Sequence, residues 1–236
     1  MRAGLAGLDG FVIDDVRGRR LEACQSPVWD TALAVVALAD AGLPADDPAL
    51  VRAADWLLRE EVRVAGDWAV RRPRLAPGGW AFEFENDTYP DVDDTAEVVL
   101  ALRKVAHPEP ARVDAAVAPD DRAVRRAVRW LEQHQNPDGG WGEDCRSYRE
   151  PEWIGRGEST ASQTAWALLA LLAAGERSPA VERGVAWLVE RQTDDGTWDE
   201  PWFTGTGFPG DFLINYHLYR HVFPLTALGR YLRAQP

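Results

Sequence analysis

Apolar positions along this chain fall mostly at helical spacing, interrupted by short runs of glycine, proline and aspartate. Residues 1–25 lack that period. Gly4, Gly7 and Gly10 and the basic run Arg17-Gly18-Arg19-Arg20 predict an extended arm, and residues 26–236 a single helical domain. From about Val28 to Ala41, Leu33, Val36, Ala37 and Leu38 share a face, and Gly42 ends the helix. Pro48 opens a second helix to about Arg59, carrying Leu50, Ala53, Trp56 and Leu57. A polar loop through Gly66-Asp67-Trp68 and a Pro/Gly-rich passage from Pro73 follow. Trp80, Phe82 and Phe84 then alternate, which predicts a short extended piece with aromatics on one side, and Tyr89 continues it. Pro90 keeps Tyr89 out of helical geometry, so the next helix is predicted over about 94–105, ahead of a Pro/Ala linker over 107–119.

The second half repeats itself. Arg126-Ala127-Val128-Arg129-Trp130-Leu131, closing on Gly139-Gly140-Trp141, matches Arg183-Gly184-Val185-Ala186-Trp187-Leu188, closing on Gly196-Thr197-Trp198, with the last tryptophans 57 positions apart. A weaker copy runs from Arg52-Ala53-Ala54-Asp55-Trp56-Leu57 to Gly66-Asp67-Trp68. Each copy is a helix, a turn and a tryptophan. A second helix is predicted after each of the later two, from Ser162 to Ala174 and near Asp211 to Tyr219. Helical hairpins repeating at this length stack into a solenoid or close into an α/α toroid, so the fold class is all-α. Gln135 and Gln192 are placed to bond a backbone carbonyl at a helix end, with the tryptophan over the turn.

Totals narrow the function classes. A net charge of −12 argues against nucleic acid and offers no basic patch for anionic lipid. Cys24 and Cys145 lie far apart with no Cys/His cluster, so they read as reduced thiols, without disulfide or zinc. No apolar run reaches membrane-spanning length, and the opening residues carry no secretory leader, which predicts a cytoplasmic protein.

Chemistry concentrates in Asp91-Val92-Asp93-Asp94-Thr95-Ala96-Glu97. Asp94 followed by Glu97 reads as a capping box, which leaves Asp91 and Asp93 unexplained. Crowded carboxylates beside an apolar wall repel as anions, so one keeps its proton near neutral pH and is suited to general-acid work. Spacing alone leaves both readings open. The phosphatase pattern that Asp91 to Thr95 superficially matches needs a preceding apolar strand, and Glu85 to Pro90 is not one. A glycoside hydrolase with two carboxylates about a sugar is a further α/α alternative.

These segments together resemble the squalene–hopene cyclases, the bacterial class II triterpene cyclases. The repeat is similar to their QW motif, and Asp91 to Ala96 to their DxDDTA acid motif. Ser26-Pro27-Val28-Trp29-Asp30-Thr31 and the tail from Trp198 to Pro224 add two more motifs in family order. The resemblance covers about residues 22–232. It implies that Asp93 protonates a terminal alkene, with Asp91 and Asp94 holding it protonated and oriented. It implies a cavity lined by Trp29, Phe84, Phe208, Phe212, Tyr216 and Tyr219, which Trp80 and Phe82 extend. It implies a hydrophobic isoprenoid substrate and no metal or cofactor.

Two departures qualify that expectation. Family members carry a second α-domain, and further helical repeats between the helix after Asp94 and the copy at Arg126. Those repeats hold the histidine that bonds the acid cluster, and His107, His134, His217 and His221 do not match it. The expected toroid has fewer hairpins, either open or closed by a second copy as a homodimer, with weak peripheral attachment to the inner face of the membrane. Two functions follow: a small cyclase acting through Asp93 on squalene or a shorter polyene, or a non-catalytic α/α-repeat scaffold that binds a lipid or protein partner.

Overall fold

The computed structural model describes residues 12–21, 26–65, 76–82, 90–106, 119–148, 157–203, 205–208 and 212–235. The arm is not simply extended. Strands β1 (Val12–Asp15) and β2 (Gly18–Leu21) pair antiparallel, with Val12 opposite Leu21. Gly18 takes φ +107° at the turn, where a side chain would be strained, and Arg20 grips both Asp15 oxygens at 3.0 Å.

Helices α1 (Pro27–Asp40) and α2 (Pro48–Arg59) follow, each with proline in its first turn, where no amide donor is lost. Next come α3 (Val92–Leu102), α4 (Pro119–His134), α5 (Ala161–Ala173), α6 (Pro179–Arg191) and α7 (Tyr219–Ala234). One expected helix, near Asp211 to Tyr219, is corrected. Strands β3 (Gly205–Phe208) and β4 (Phe212–Ile214) pair there, and the helix begins at Tyr219. Phe208, Phe212, Leu213 and Ile214 suit a pleated pair.

The helices form two rows. In the inner row α1 packs on α3, α3 on α5 and α5 on α7, while α2, α4 and α6 pack outside them. Composition explains the division. Helix α5 reads ASQTAWALLALLA and is buried from Ala161 through Leu171, as a helix apolar nearly all round must be. Helix α4 carries Arg122, Arg125 and Arg129 on its exposed side and buries Ala123, Ala127, Trp130 and Leu131.

One hydrogen bond recurs in every repeat. The indole Nε1 of Trp141 donates to the Leu131 carbonyl at 2.7 Å, and that of Trp198 to Leu188 at 2.8 Å. In the first copy the donor is Trp80, to Leu57 at 2.6 Å, and not the expected Trp68, which lies outside the described residues. The longer loop hid the match between Gly78-Gly79-Trp80 and Gly139-Gly140-Trp141. Gln135 Nε2 donates to the carbonyls of Gly139 and Ala180, both at 2.8 Å, tying its own turn to the next helix.

Candidate active site at the start of α3

Asp91, and not Asp94, caps α3. Its backbone is extended, with its amide bonded to the Trp80 carbonyl at 3.0 Å, and its Oδ1 accepts the Asp94 amide at 2.9 Å. The bridge to Trp80 fixes Asp91 outside the helix, so the expected capping box from Asp94 to Glu97 does not form. Asp93 and Asp94 therefore sit in the first turn. Every α3 residue is buried except Asp93, which keeps partial exposure.

One oxygen each from Asp91, Asp93 and Asp94 lies within 4.8 Å of the others. Burial pushes all three carboxyls above their ordinary range. Asp94 and Asp93 raise Asp91 further, and Asp93 raises Asp94. Hydrogen bonds from Asp91 and Gln163 partly offset the rise at Asp93. The helix N-terminus favours the anions by about 1 kcal/mol, too little against a desolvation cost of several kcal/mol per buried ion. Burial and mutual repulsion thus favour the protonated forms. Carboxyls in that state are poor cation ligands and good Brønsted acids.

Two more acids belong here. Glu143 faces the Val92 amide from the turn after Trp141, and burial, then Asp93, push its carboxyl well up. Among the described residues its Oε1 has no hydrogen-bond partner, nor has Asp94 Oδ1. Glu97 is 4% exposed one turn beyond Asp93, and its Oε1 accepts the Trp166 indole N–H at 3.1 Å.

The next repeat shows how the site is built. Thr160 caps α5 as Asp91 caps α3, accepting the Gln163 amide at 3.2 Å. The Trp141 amide donates to Thr164 Oγ1 at 3.0 Å, and the Trp80 amide to Thr95 Oγ1 at 3.0 Å. Glu200, two residues past Trp198, binds the Ser162 amide at 2.8 Å and the Ser162 hydroxyl at 2.6 Å. Glu143 stands two residues past Trp141 in the same relation to α3. Aspartates 93 and 94 replace Ser162 and Gln163 in an ordinary helix-start module.

An aromatic group lies beside the acids. Trp29, half-buried on α1, meets Trp166 edge-on at 5.9 Å. Trp166 lies tilted on Phe223 at 4.2 Å and edge-on to Tyr219 at 5.1 Å, and Tyr216 stacks on Tyr219 at 4.6 Å. The Tyr219 hydroxyl is pushed up to about 12 by burial, then by Tyr216, Asp93, Glu97 and Asp94, so it lies within electrostatic reach of the acid cluster. Of the other expected lining residues, Trp80 is fully buried with its N–H committed to Leu57, a structural place. Phe82 is half-buried. Phe208 and Phe212 are backbone partners across β3 and β4, with their side chains outside the description, and Phe84 lies outside the described residues altogether. Sequence reasoning missed Glu143, Gln163, Trp166 and Phe223. The signal for Glu143 was present in its shared distance, with Glu200, from the repeat tryptophan. Cys145 is a free thiol pushed up to about 11 by burial, consistent with an unreactive cysteine.

Comparison with known proteins agrees with this construction. The family profile described as squalene–hopene cyclase C-terminal domain matches residues 25–122 and 113–233. A squalene–hopene cyclase of Alicyclobacillus acidocaldarius is 40% identical over 98% of this chain and 54% of its own length. One from Bradyrhizobium diazoefficiens is 34% identical over 95% of this chain and 51% of its own. A dammaradiene synthase of Dryopteris crassirhizoma is 30% identical over 98% and 53%. The chain spans about half the length of these curated relatives. The first alignment runs over 342 positions against 236 residues here, so more than a hundred positions are filled by the relative alone. The two profile segments overlap at residues 113–122, across the end of the predicted linker and the start of α4.

Proposed function

The chain belongs to the squalene–hopene cyclase C-terminal domain family, and on that premise we propose that it is a class II terpene cyclase. Its substrate class is an isoprenoid polyene, squalene or a shorter polyprenyl chain, and Asp93 is its general acid. The observation that carries this reading is Asp93 itself, the one partly exposed residue of a buried helix, set among three further carboxyls, with its own carboxyl raised by burial.

The chemistry follows from those groups. Asp93 transfers its carboxylic proton to a terminal alkene carbon, a C–H bond forms, and a tertiary cation is left at the neighbouring carbon. The π electrons of the next alkene close a ring on that cation, and loss of a proton ends the sequence. By family resemblance Asp91 and Asp94 hold Asp93 protonated and oriented, and burial raises its carboxyl. Trp29, Tyr219 and Tyr216, with Phe84, Phe208 and Phe212 by family resemblance and Phe82 from the aromatic lead-in, offer ring faces to the cation without a strong base. Their packing prefolds the polyene. Weak peripheral membrane attachment and pairing of two copies belong to the same reading. Among the described residues no helix is long and apolar enough to cross a membrane.

A second reading, a non-catalytic scaffold, is favoured by the packing of Trp166 on Phe223, which fills part of the inner space with side chains. Product analysis by mass spectrometry separates the two. Wild type and Asp93→Asn are incubated with squalene and shorter polyprenyl substrates. A cyclised product from wild type alone supports the cyclase, and no product from folded wild type supports the scaffold.

A further inference from the structure

Glu97 is explained neither by the helix start, which Asp91 caps, nor by the acid group around Asp93. It lies one turn beyond Asp93 on α3, so the two side chains share a helix face. In the repeat, Glu97 occupies the position that Trp166 occupies on α5, and the two equivalent residues touch: Trp166 Nε1 donates to Glu97 Oε1 at 3.1 Å. An apolar side chain would fill this place at no desolvation cost, and a glutamine would satisfy the indole N–H without a charge. The carboxyl is retained at 4% exposure.

Its surroundings are specific. On its own helix Asp93 bears on it. From α5 it receives the Trp166 N–H. From α7, half-buried Arg230 acts on it through space, and the Tyr219 ring senses its charge. Glu97 therefore feels both the acid on its own helix and a half-buried basic side chain on α7. Burial pushes its carboxyl up to about 7, with Trp166 and Arg230 pulling it down and Asp93 pushing it up. A group that half-titrates at neutrality can both release and regain a proton within a cycle.

We propose that Glu97 is the proton relay that restores Asp93 after each turnover. The inference rests on the cyclase reading above. When Asp93 has given its proton to the alkene it is a carboxylate. Glu97, as the neutral acid, passes its proton one turn along α3 to that carboxylate and becomes the anion. Water on the Arg230 side then reprotonates Glu97, and the proton lost by the product cation returns to solvent. Glu97 acts through Asp93 and is a positioning residue, not one that touches the polyene.

The test compares one turnover with many, using squalene with enzyme in excess and then substrate in excess. Glu97→Gln, which keeps an acceptor for Trp166, is expected to complete its first turnover within about threefold of wild type. Its steady-state rate is expected to fall on the order of tenfold or more. Wild-type steady-state turnover should fall as pH rises through about 7, and that limb should vanish in Glu97→Gln. Equal loss in both regimes, or a persistent limb, overturns the relay. Product from Asp93→Asn overturns the cyclase reading instead. Infrared titration of the Glu97 carboxyl needs no turnover. Its midpoint should fall in Asp93→Asn and rise in Trp166→Phe, and a midpoint unmoved by both overturns the coupling on which the relay depends.

Discussion

Asp93 on α3 and Ser162 on α5 hold the same position in two copies of one module, the second residue of a capped inner helix. Ser162 gives its hydroxyl proton to Glu200 at 2.6 Å. Asp93 meets Glu143 in the corresponding place, and both carboxyls are pushed up. A neutral donor paired with a carboxylate has become an acid paired with an acid, which is tolerable only while protons stay bound. The repeat therefore supplies a stable reference for the site and shows which residues carry its strain.

Asp93→Ser returns the position to that reference. The variant is expected to be inactive in the squalene assay and more stable than wild type at pH 8 by roughly 1–3 kcal/mol, since it removes one crowded buried acid. In a chain of this size that corresponds to a rise in Tm of several degrees, on the order of 2–4 °C per kcal/mol. A lower Tm for Asp93→Ser would count against stored electrostatic strain.

Raised carboxyls also set the dependence of stability on pH. A carboxyl whose folded pKa is raised binds its proton more tightly folded than unfolded. Its contribution is full below the unfolded value and is lost as pH climbs through the folded one. For Glu97 the window runs from about 4.5 to about 7, a loss of about 3 kcal/mol. Asp91, Asp94 and Glu143 add losses of the same sign. Denaturant melts should show stability falling between pH 5 and pH 8, and Glu97→Gln should flatten the curve.

The helical rows were legible because their signals are local. Pro27, Pro48 and Pro179 open helices, and Trp141 and Trp198 close matching copies of one repeat. Asp91, Asp93 and Asp94 were legible as a group, since three acids within four residues admit few roles. The partners from other repeats were not. Glu143 and Gln163 reach Asp93 only through the packing of α3 against α5, and Glu97 looked like half of a capping box until Trp80 fixed Asp91 as the cap. The equivalence of Trp80 to Trp141 and Trp198 was hidden because its loop is longer than theirs.

Gly79 tests how closely the turn and the acid helix are fitted. It has φ +109°, and a Cβ there would lie 2.7 Å from Thr95 Oγ1, the hydroxyl that accepts the Trp80 amide. Gly79→Ala combines left-handed strain with loss of that contact, and is expected to cost about 2–4 kcal/mol. It should also lower cyclase activity, because Thr95 adjoins Asp94. Unchanged stability by chemical denaturation would show that the turn can move away from α3.

Trp141 and Trp198 predict a graded effect. Each indole N–H donates to a buried carbonyl, Leu131 or Leu188, so replacement by phenylalanine removes the donor while keeping most of the ring. The orphaned carbonyl costs roughly 1–3 kcal/mol in either variant. The consequences for chemistry should differ. The turn after Trp141 carries Glu143 to the start of α3 beside Asp93, whereas the turn after Trp198 carries Glu200 to Ser162, which is outside the acid group. Trp141→Phe is therefore expected to lose squalene turnover well beyond its stability loss, and Trp198→Phe to lose only in proportion to unfolding. Assays at a temperature where both variants remain folded make the comparison. Equal activities would mean that Glu143 is not needed to hold Asp93 in its acid form.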